Sequence, residues 1–221
     1  MPFLRSISKR LQHPFSSKVD SESDSQPAFA NDAHNPTSRA TKQPIMAPVA
    51  LILGSGPRVG AAVAGSLAAS GYKVAVAARK GTDSKTAEGY FSIKADFAQP
   101  ESIPGVFDTV KKQLGAAPSI VVYNAASLTP PPDSESVLSI PAARVTNDLN
   151  VNTVSPFVAA EQAAKGFETL STGPKLFIYT GNAQNAMVLP VPMMLNLGVG
   201  KAASAYWVGQ ADGAYSAKGY R

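Results

Sequence analysis

The stretch Leu53-Gly-Ser-Gly-Pro-Arg-Val-Gly-Ala-Ala-Val63 follows an apolar run, Val49 to Leu53, and opens a stretch of helix-forming residues. Gly54 and Gly56 permit a tight turn and the close approach of a pyrophosphate, and Gly60 lets the helix pack closely on the strand. The free amides at the start of a helix attract phosphate. The stretch therefore predicts a phosphate-binding turn between the first strand and the first helix. The alternative is a turn with a purely structural role.

Apolar runs and helical stretches alternate along the rest of the chain. The predicted strands are Val49 to Leu53, Val74 to Ala78, Phe91 to Ala95, Ile120 to Tyr123 and Leu176 to Tyr179, with helices near 57–70, 101–114, 142–168 and 198–212. Short, fully apolar strands that alternate with helices indicate a parallel sheet covered on both faces. We predict an α/β fold with a Rossmann-like doubly wound sheet in three α/β/α layers. With five strands the order is 3-2-1-4-5, which leaves the fifth at an edge unless a partner or a fold variant covers it.

The 221 residues suit one domain and a tail. Residues 1–46 are rich in Ser, Pro, Asn and Gln and predict a disordered tail, whereas residues 47–221 predict the folded domain. Residues 1–18 are basic, carry no acidic residue and repeat leucine and isoleucine at helical spacing, as a mitochondrial presequence does. A cytoplasmic location is expected, with a mitochondrial one if this segment acts as a presequence. A natural start at Met46 is a further alternative.

Composition excludes several classes of site. The chain has no cysteine, and both histidines lie in the first 46 residues, so the domain lacks the usual ligands of zinc and iron and cannot form a serine-histidine triad. The net charge is +5, but the basic residues are scattered, which argues against nucleic-acid binding. No apolar run is long enough to span a membrane, so we expect a soluble protein.

Two basic residues end the second predicted strand. A dinucleotide fold that prefers NAD places an acidic residue about twenty positions after the glycines, where it binds the ribose hydroxyls. Here Arg79 stands nineteen residues after Gly60, and Lys80 follows it. Two cations would hold a 2′-phosphate, so this position favours NADP(H). The alternative is that both are ordinary solvated charges.

These motifs together resemble the short-chain dehydrogenase/reductase family. The resemblance extends from Val49 to the C-terminus and is carried by the glycine turn, Ala95-Asp-Phe97, Asn124-Ala-Ala126, Val151-Asn152 and Lys201. It implies that Asp96 and Phe97 border the adenine and that Asn124 lies beside the cofactor or fastens the fourth strand. Cofactor contacts are also expected from Gly54, Ser55, Gly56, Gly60 and Arg58, the last of which replaces the second glycine of the family motif.

Asn152 is the first expected catalytic residue. It shares a helix face with Val145 and Leu149, and Pro156 has no amide hydrogen to give its carbonyl. We expect a kinked helix whose free Asn152 carbonyl holds a water, as the family arrangement does. The alternative is a kinked core helix in which Asn152 makes a local cap.

Lys201 aligns with the family lysine, which grips the nicotinamide ribose. The family tyrosine, four residues earlier, is replaced by Leu197, which cannot transfer a proton. The family serine is missing too, because no serine lies between Ser171 and Ser204. Tyr206 should face away from Lys201 on a regular helix. The remaining candidates for a polar role near the site are Tyr179, Thr180, Asn182, Asn196 and Ser204.

The resemblance implies an NADP(H)-dependent oxidoreductase that acts on a small carbonyl or alcohol through a non-standard site. Family members continue past Gly219-Tyr-Arg221 into further strands and a substrate loop, so a C-terminally short chain is expected. The alternative function is a catalytically silent NADP(H)-binding module. No metal, nucleic acid or membrane partner is expected, and a homo-oligomer is left open.

Overall fold

Six strands form a single sheet in the computed structural model, which describes residues 47–221; the predictions for residues 1–46 lie outside it. The strands are β1 (Val49–Leu53), β2 (Lys73–Ala78), β3 (Ser84–Lys85), β4 (Phe91–Lys94), β5 (Ile120–Tyr123) and β6 (Leu176–Tyr179). Their order is β3-β4-β2-β1-β5-β6. All pairs are parallel except β3 with β4. The predicted order is confirmed. Strand β3 was not predicted, because two residues leave no periodic pattern.

The centre of the sheet is buried on both faces because β1 and β5 are apolar at every position. All five residues of β1 are buried, and they alternate between two clusters of side chains. Val49, Leu51 and Leu53 pack with α2 (Ile103–Leu114) and α4 (Ser155–Glu168). Ala50 and Ile52 pack with α1 (Val59–Ala69) on the other face. This gives the predicted three layers.

The long helix predicted over residues 142–168 is divided in the structure. It consists of α3 (Ala142–Leu149), a π-helical segment (Asn150–Val154) and α4. Pro156 cannot donate to the carbonyl of Asn152, so the regular α-helical ladder is interrupted at this turn. Widening to a π-helix accommodates the interruption. The fifth helix, α5, runs from Leu195 to Tyr215.

The outer edge of β6 is partly covered by the last residue of the chain. The amide of Arg221 donates to the carbonyl of Lys175 at 3.0 Å, and the amide of Phe177 donates to the carbonyl of Arg221 at 2.7 Å. One residue bonded on both sides in this way has the pattern of a parallel bridge. The edge predicted to be open is therefore paired at one position.

Helix α5 approaches the π-helical segment very closely at Gly200. A Cβ added there would collide with the Cβ of Asn152 and lie 3.3 Å from the hydroxyl oxygen of Thr153. A glycine is thus required where the two backbones meet. This contact brings Lys201, the next residue of α5, against the segment that carries Asn152.

A buried carboxylate joins the same elements. Asp148, at the end of α3, is fully buried. It accepts hydrogen bonds from the Ser127 hydroxyl (2.6 Å), the Thr129 amide (2.8 Å) and the Asn196 side chain (3.1 Å). Burial alone would raise the pKa of Asp148, but these donors together lower it below its usual value. Asp148 thereby links the loop after β5 to the first turn of α5.

Substitution of Gly200 tests the close approach of α5. We expect Gly200→Ala to lower the free energy of unfolding by about 2 kcal/mol, because the added methyl group forces the helices apart. Gly209, on the same helix, has open space at its Cβ position. Gly209→Ala should therefore stabilise the chain by about 1 kcal/mol through helix propensity. Urea unfolding measures both, and equal effects of the two substitutions would contradict the packing described.

Substitution of Asp148 tests the buried carboxylate. Asp148→Ala should lower the free energy of unfolding by about 3 kcal/mol, because three donors, including the buried Asn196 side chain, lose their acceptor. Asp148→Asn should cost about 1 kcal/mol at neutral pH. In this variant the side-chain oxygen can still accept from the Thr129 amide and the Asn196 side chain. The NH₂ group can donate to the Ser127 hydroxyl oxygen, because a hydroxyl accepts as well as donates.

The pH dependence distinguishes the charge from the shape of this side chain. Because the pKa of folded Asp148 is lowered, its stabilising contribution is present above the ordinary pKa near 3.8 and is lost as pH falls through the lowered value. Urea unfolding from pH 6 to pH 2.5 should show the gap between wild type and Asp148→Asn shrinking in acid. A gap of constant size would show that the charge contributes nothing.

Candidate functional site

The glycine turn joins β1 to α1 at the carboxyl edge of the sheet. Gly54 has a φ of 101°, a value that L-residues rarely adopt. The amides of Gly54 and Ser55 donate to the carbonyl of Ala77 on β2 at 2.9 and 3.3 Å. The turn is therefore fixed to the second strand, and the start of α1 follows at Val59.

The three glycines of the motif have different surroundings. A Cβ on Gly54 would collide with the backbone of Ala125, and one on Gly60 would lie 2.6 Å from the carbonyl oxygen of Gly54. Both positions are filled by the protein itself. A Cβ on Gly56, in contrast, would meet no other described atom within 4 Å, and Gly56 is exposed. Gly56 is the motif glycine that borders open space at the start of the helix.

The basic residues expected to bind phosphate are exposed near this turn. Arg58 directly precedes α1, and its side chain makes no capping hydrogen bond to the helix. Arg79 and Lys80 form the exposed turn that follows β2. Since β2 pairs with β1, these cations lie at the same sheet edge as the glycines. Within the described chain, neither Arg79 nor Lys80 has a carboxylate partner within 4.0 Å.

The other residues expected near the cofactor divide into surface and core. Asp96 is exposed and caps the amide of Ala98 at 3.1 Å. The Phe97 side chain is only 5 % exposed and packs on the ring of Tyr123, so it belongs to the core and only its backbone can border a ligand. The Asn124 side chain donates to the carbonyl of Gly54 at 2.9 Å and so fastens the glycine turn to the end of β5.

Asn152 is fully buried and all of its side-chain and carbonyl groups have protein partners. Its side-chain oxygen accepts from the amide of Ser127 at 2.9 Å, and its NH₂ group donates to the carbonyl of the same residue at 2.7 Å. Its backbone carbonyl accepts from the hydroxyls of Tyr179 and Ser204, each at 2.8 Å. The expectation of a free carbonyl is therefore wrong, because both lone pairs are used. The side-chain bonds also differ from the alternative of a local cap, because Ser127 lies 25 residues away in the chain.

Lys201 is buried beside Tyr179. Its residue exposure is 5 %, its ammonium lies 4.3 Å from the centre of the Tyr179 ring, and it donates to the carbonyl of Thr180. Burial lowers the pKa of Lys201 to about 8. Thr180 follows β6 directly, so the ammonium lies at the carboxyl edge that also carries the glycine turn. Strand β5 separates β6 from β1, which puts the two strand ends about 10 Å apart.

Leu197 occupies the position one turn before Lys201 and is 8 % exposed. The Tyr206 side chain is 73 % exposed, which agrees with the prediction that it faces away from Lys201. Burial raises the pKa of the Tyr179 hydroxyl, although the neighbouring Ser204 hydroxyl acts in the opposite direction. Tyr179 is therefore a structural hydroxyl that binds the Asn152 carbonyl rather than a readily ionised acid.

Asn182 and Asn196, two other polar candidates, make structural hydrogen bonds. Asn182 accepts from the amide of Gln184 at 2.9 Å and caps the short turn after β6. Asn185, in the same turn, donates to the carbonyl of Lys201 at 3.0 Å. Asn196 binds the carboxylate of Asp148. These contacts hold the turn after β6 and the first turns of α5 in place.

Sequence reasoning missed Asp148 and Ser127. Asp148 lies four residues before Asn152 on the predicted helix, and an acidic residue next to a buried face is a signal that could have identified it. Ser127 carried no signal, because its role depends on partners more than twenty residues away. Together they fix the loop after β5 against the helix that carries Asn152.

Clefts of about 650 and 640 Å³ border α5, but both lie toward the outer edge of β6 rather than the glycine turn. Neither is assigned to the cofactor. Within residues 47–221, no three potential metal ligands are grouped together. None of the described helices combines the length and hydropathy needed to cross a membrane.

Comparisons with known proteins identify the family. The short chain dehydrogenase family model matches residues 48–191. The short chain dehydrogenase/reductase dmxR12 of Cryptosporiopsis sp. (strain 8999) is 38 % identical over 188 residues, which cover 79 % of this chain and 74 % of that protein.

Solved structures agree with this result. The short-chain dehydrogenase/reductase from Serratia marcescens BCRC 10948 is 26 % identical with a TM-score of 0.58, covering 73 % of this chain and 69 % of that one. The 3-oxoacyl-(acyl-carrier protein) reductase from Brucella melitensis in complex with NAD has a TM-score of 0.67 and 19 % identity over 78 % of this chain and 69 % of that one, which shows the shared fold. The chain belongs to the short-chain dehydrogenase/reductase family of oxidoreductases, whose members bind nicotinamide cofactors and act on small molecules.

Proposed function

We propose that this protein is an NADP(H)-dependent oxidoreductase that interconverts a small carbonyl compound and its alcohol at a non-standard site. The observation that carries the proposal is the turn at Gly56, which borders open space at the start of α1 while Gly54 and Gly60 are packed against protein. A pyrophosphate can approach this backbone closely, and the positive end of the helix dipole attracts it. The residues present thus fit a dinucleotide.

The residues that would hold the cofactor lie along one sheet edge. Gly54, Ser55 and Gly56 would face the pyrophosphate, Arg58 would add a charge, and Gly60 allows the turn to close. Asn124 keeps the turn in position through its bond to the Gly54 carbonyl. Asp96 and the backbone of Phe97 follow β4 and would border the adenine.

Arg79 and Lys80 support NADP(H) over NAD(H). Both are exposed after β2 and have no carboxylate partner in the described chain, so their charges are available to a 2′-phosphate. The Brucella relative was solved with NAD, which supports the nicotinamide class of cofactor. The preference within that class rests on these two cations.

The chain's own chemistry is concentrated around Lys201. A bound nicotinamide supplies or accepts hydride. Lys201 would hold its ribose, and Leu197 would keep water away from the reacting groups. Asn152 would be a positioning residue: its carbonyl accepts a hydrogen bond from Tyr179, and the Tyr179 ring lies against the Lys201 ammonium. Orientation of this kind can sustain hydride transfer without the family tyrosine.

A catalytically silent NADP(H)-binding module is the second candidate. It is favoured by the engaged carbonyl of Asn152 and by Leu197 in the position of the family tyrosine. Both candidates require the cofactor and differ only in turnover. Tight NADP(H) binding without oxidation of NADPH by any carbonyl compound would select the silent module.

Thermal unfolding of the full chain tests the choice of cofactor. NADP(H) at one hundred times its Kd should stabilise the fold by about 2.7 kcal/mol and raise Tm by roughly 5 to 10 °C. NAD(H) at the same concentration should raise it much less. The double variant Arg79→Ala, Lys80→Ala should lose the NADP(H) shift while its own Tm stays near that of wild type. Equal shifts with both cofactors would refute the assigned preference.

Gly56→Ala tests whether the open space at the turn belongs to the cofactor. Its methyl group meets no described atom within 4 Å, so the Tm of the free chain should change by less than about 2 °C. The Kd for NADPH, measured by fluorescence titration, should rise by about tenfold or more because the methyl group occupies the approach of the pyrophosphate. Gly89→Ala is not a suitable control, because Gly89 has a positive φ. Gly209→Ala serves instead and should leave the Kd unchanged.

A further inference from the structure

Lys201 is a buried ammonium without a carboxylate partner. Within the described residues no carboxylate oxygen lies within 4.0 Å of its Nζ, and Thr180 supplies the hydrogen-bond acceptor through a carbonyl group. An ammonium has three N–H donors, so two remain for other acceptors. One can bind a ribose hydroxyl, and one is left for the oxygen of a substrate.

The surroundings of Lys201 contain no better acid. Leu197, one turn earlier, has no exchangeable proton in its side chain. The Tyr179 hydroxyl is bound to the Asn152 carbonyl, and the Ser204 hydroxyl is bound to the same oxygen. Each of these hydroxyls would have to give up a buried hydrogen bond to reach a substrate.

Resting on the proposed function, we infer that Lys201 is itself the proton donor of carbonyl reduction, in place of the family tyrosine. When bound, a reduced nicotinamide would supply hydride to the carbonyl carbon as the C=O π electrons move to the oxygen. The Lys201 ammonium gives its proton to that oxygen. The products are an alcohol, the oxidised nicotinamide and a neutral lysine amine, which takes a proton from solvent before the next turnover.

The electrostatic surroundings suit this role. Burial brings the pKa of Lys201 to about 8, near the working pH of a general acid. The ring of Tyr179 stabilises the ammonium through its face without accepting the proton. Asn185 holds the Lys201 backbone carbonyl at 3.0 Å and so keeps this turn of α5 in place.

The described elements packed around α5 place no carboxylate in contact with the Lys201 ammonium. Strand β6 carries Tyr179. Helix α3 carries Arg144, which is exposed, and Asp148, whose partner on α5 is Asn196. The π-helical segment and the turn at residues 183–185 carry none. The charged groups of α4 and of the short turn at residues 216–218 form ion pairs at the surface: Glu161 with Lys165, and Glu168 with Lys218. None of these carboxylates is in ion-pair contact with Lys201.

Lys201→Arg is the decisive variant. It keeps a cation for the ribose but cannot release its proton in the working pH range. In the full chain we expect the Kd for NADPH to stay within about threefold, while kcat with benzaldehyde, cyclohexanone or ethyl acetoacetate falls about a hundredfold or more. A variant that keeps kcat within threefold would overturn the donor role and leave the oxidoreductase function standing.

The wild-type pH profile gives a test that does not depend on the folding of a variant. Since only the ammonium can donate, kcat for reduction should fall as pH rises above about 8. A profile that is flat from pH 6 to pH 10 would overturn the inference. NADPH binding without oxidation by any of the three carbonyl compounds would overturn both the donor role and the reductase activity, whereas no NADPH binding would overturn the cofactor site first.

A third readout needs no catalysis. Carbon-13 labelling of the lysines and NMR titration of the cofactor-free chain should show one lysine with a midpoint near pH 8, and this signal should be missing in Lys201→Arg. A Lys201 signal with its midpoint at the ordinary lysine pKa of 10.5 would remove the physical basis of the proposal.

Discussion

The arrangement of the candidate site depends on the buried Asn152. Its side chain exchanges two hydrogen bonds with the backbone of Ser127, and its carbonyl accepts from Tyr179 and Ser204. Four parts of the fold meet at this one residue: the π-helical segment, the loop after β5, the end of β6, and α5. The meeting is possible because Pro156 removes the amide that would otherwise take the carbonyl. A helix interruption thus becomes the point at which the surrounding elements are fixed.

The same junction explains why Lys201 is so deeply buried. Gly200 lets α5 pack directly on the Asn152 side chain, and the next residue is buried with it. The Lys201 ammonium then reaches the Tyr179 ring and the Thr180 carbonyl. Burial without a carboxylate makes the ammonium easier to deprotonate. In a fold whose usual acid would be a tyrosine, that property gives the lysine a chemistry it would not have at the surface.

The cofactor side of the sheet is organised by a different constraint. At Gly54 and Gly60 the space that a Cβ would need is occupied by protein atoms, whereas at Gly56 it is open. Two of the glycines therefore allow the turn to pack, and the third leaves room for a ligand. The Asn124 side chain binds the turn to β5, and the Ala77 carbonyl binds it to β2. The turn therefore has little freedom to adapt, and a rigid backbone loop recognises a phosphate with a small entropic cost.

The sequence by itself determined the alternation of strands and helices, the glycine turn, the basic residues after β2 and the spacing of Leu197 and Lys201 one helical turn apart. These follow from local periodicity and from glycines and charges at fixed spacing, which act over a few residues. It predicted a kink at Pro156 but gave the freed carbonyl to a water. Only the tertiary structure decided that Tyr179 and Ser204 fill that carbonyl, that Phe97 belongs to the core and that Asp148 joins Ser127 to Asn196. Such bonds join residues far apart in the chain, and their geometry is set by how the helices pack on the sheet rather than by any local pattern.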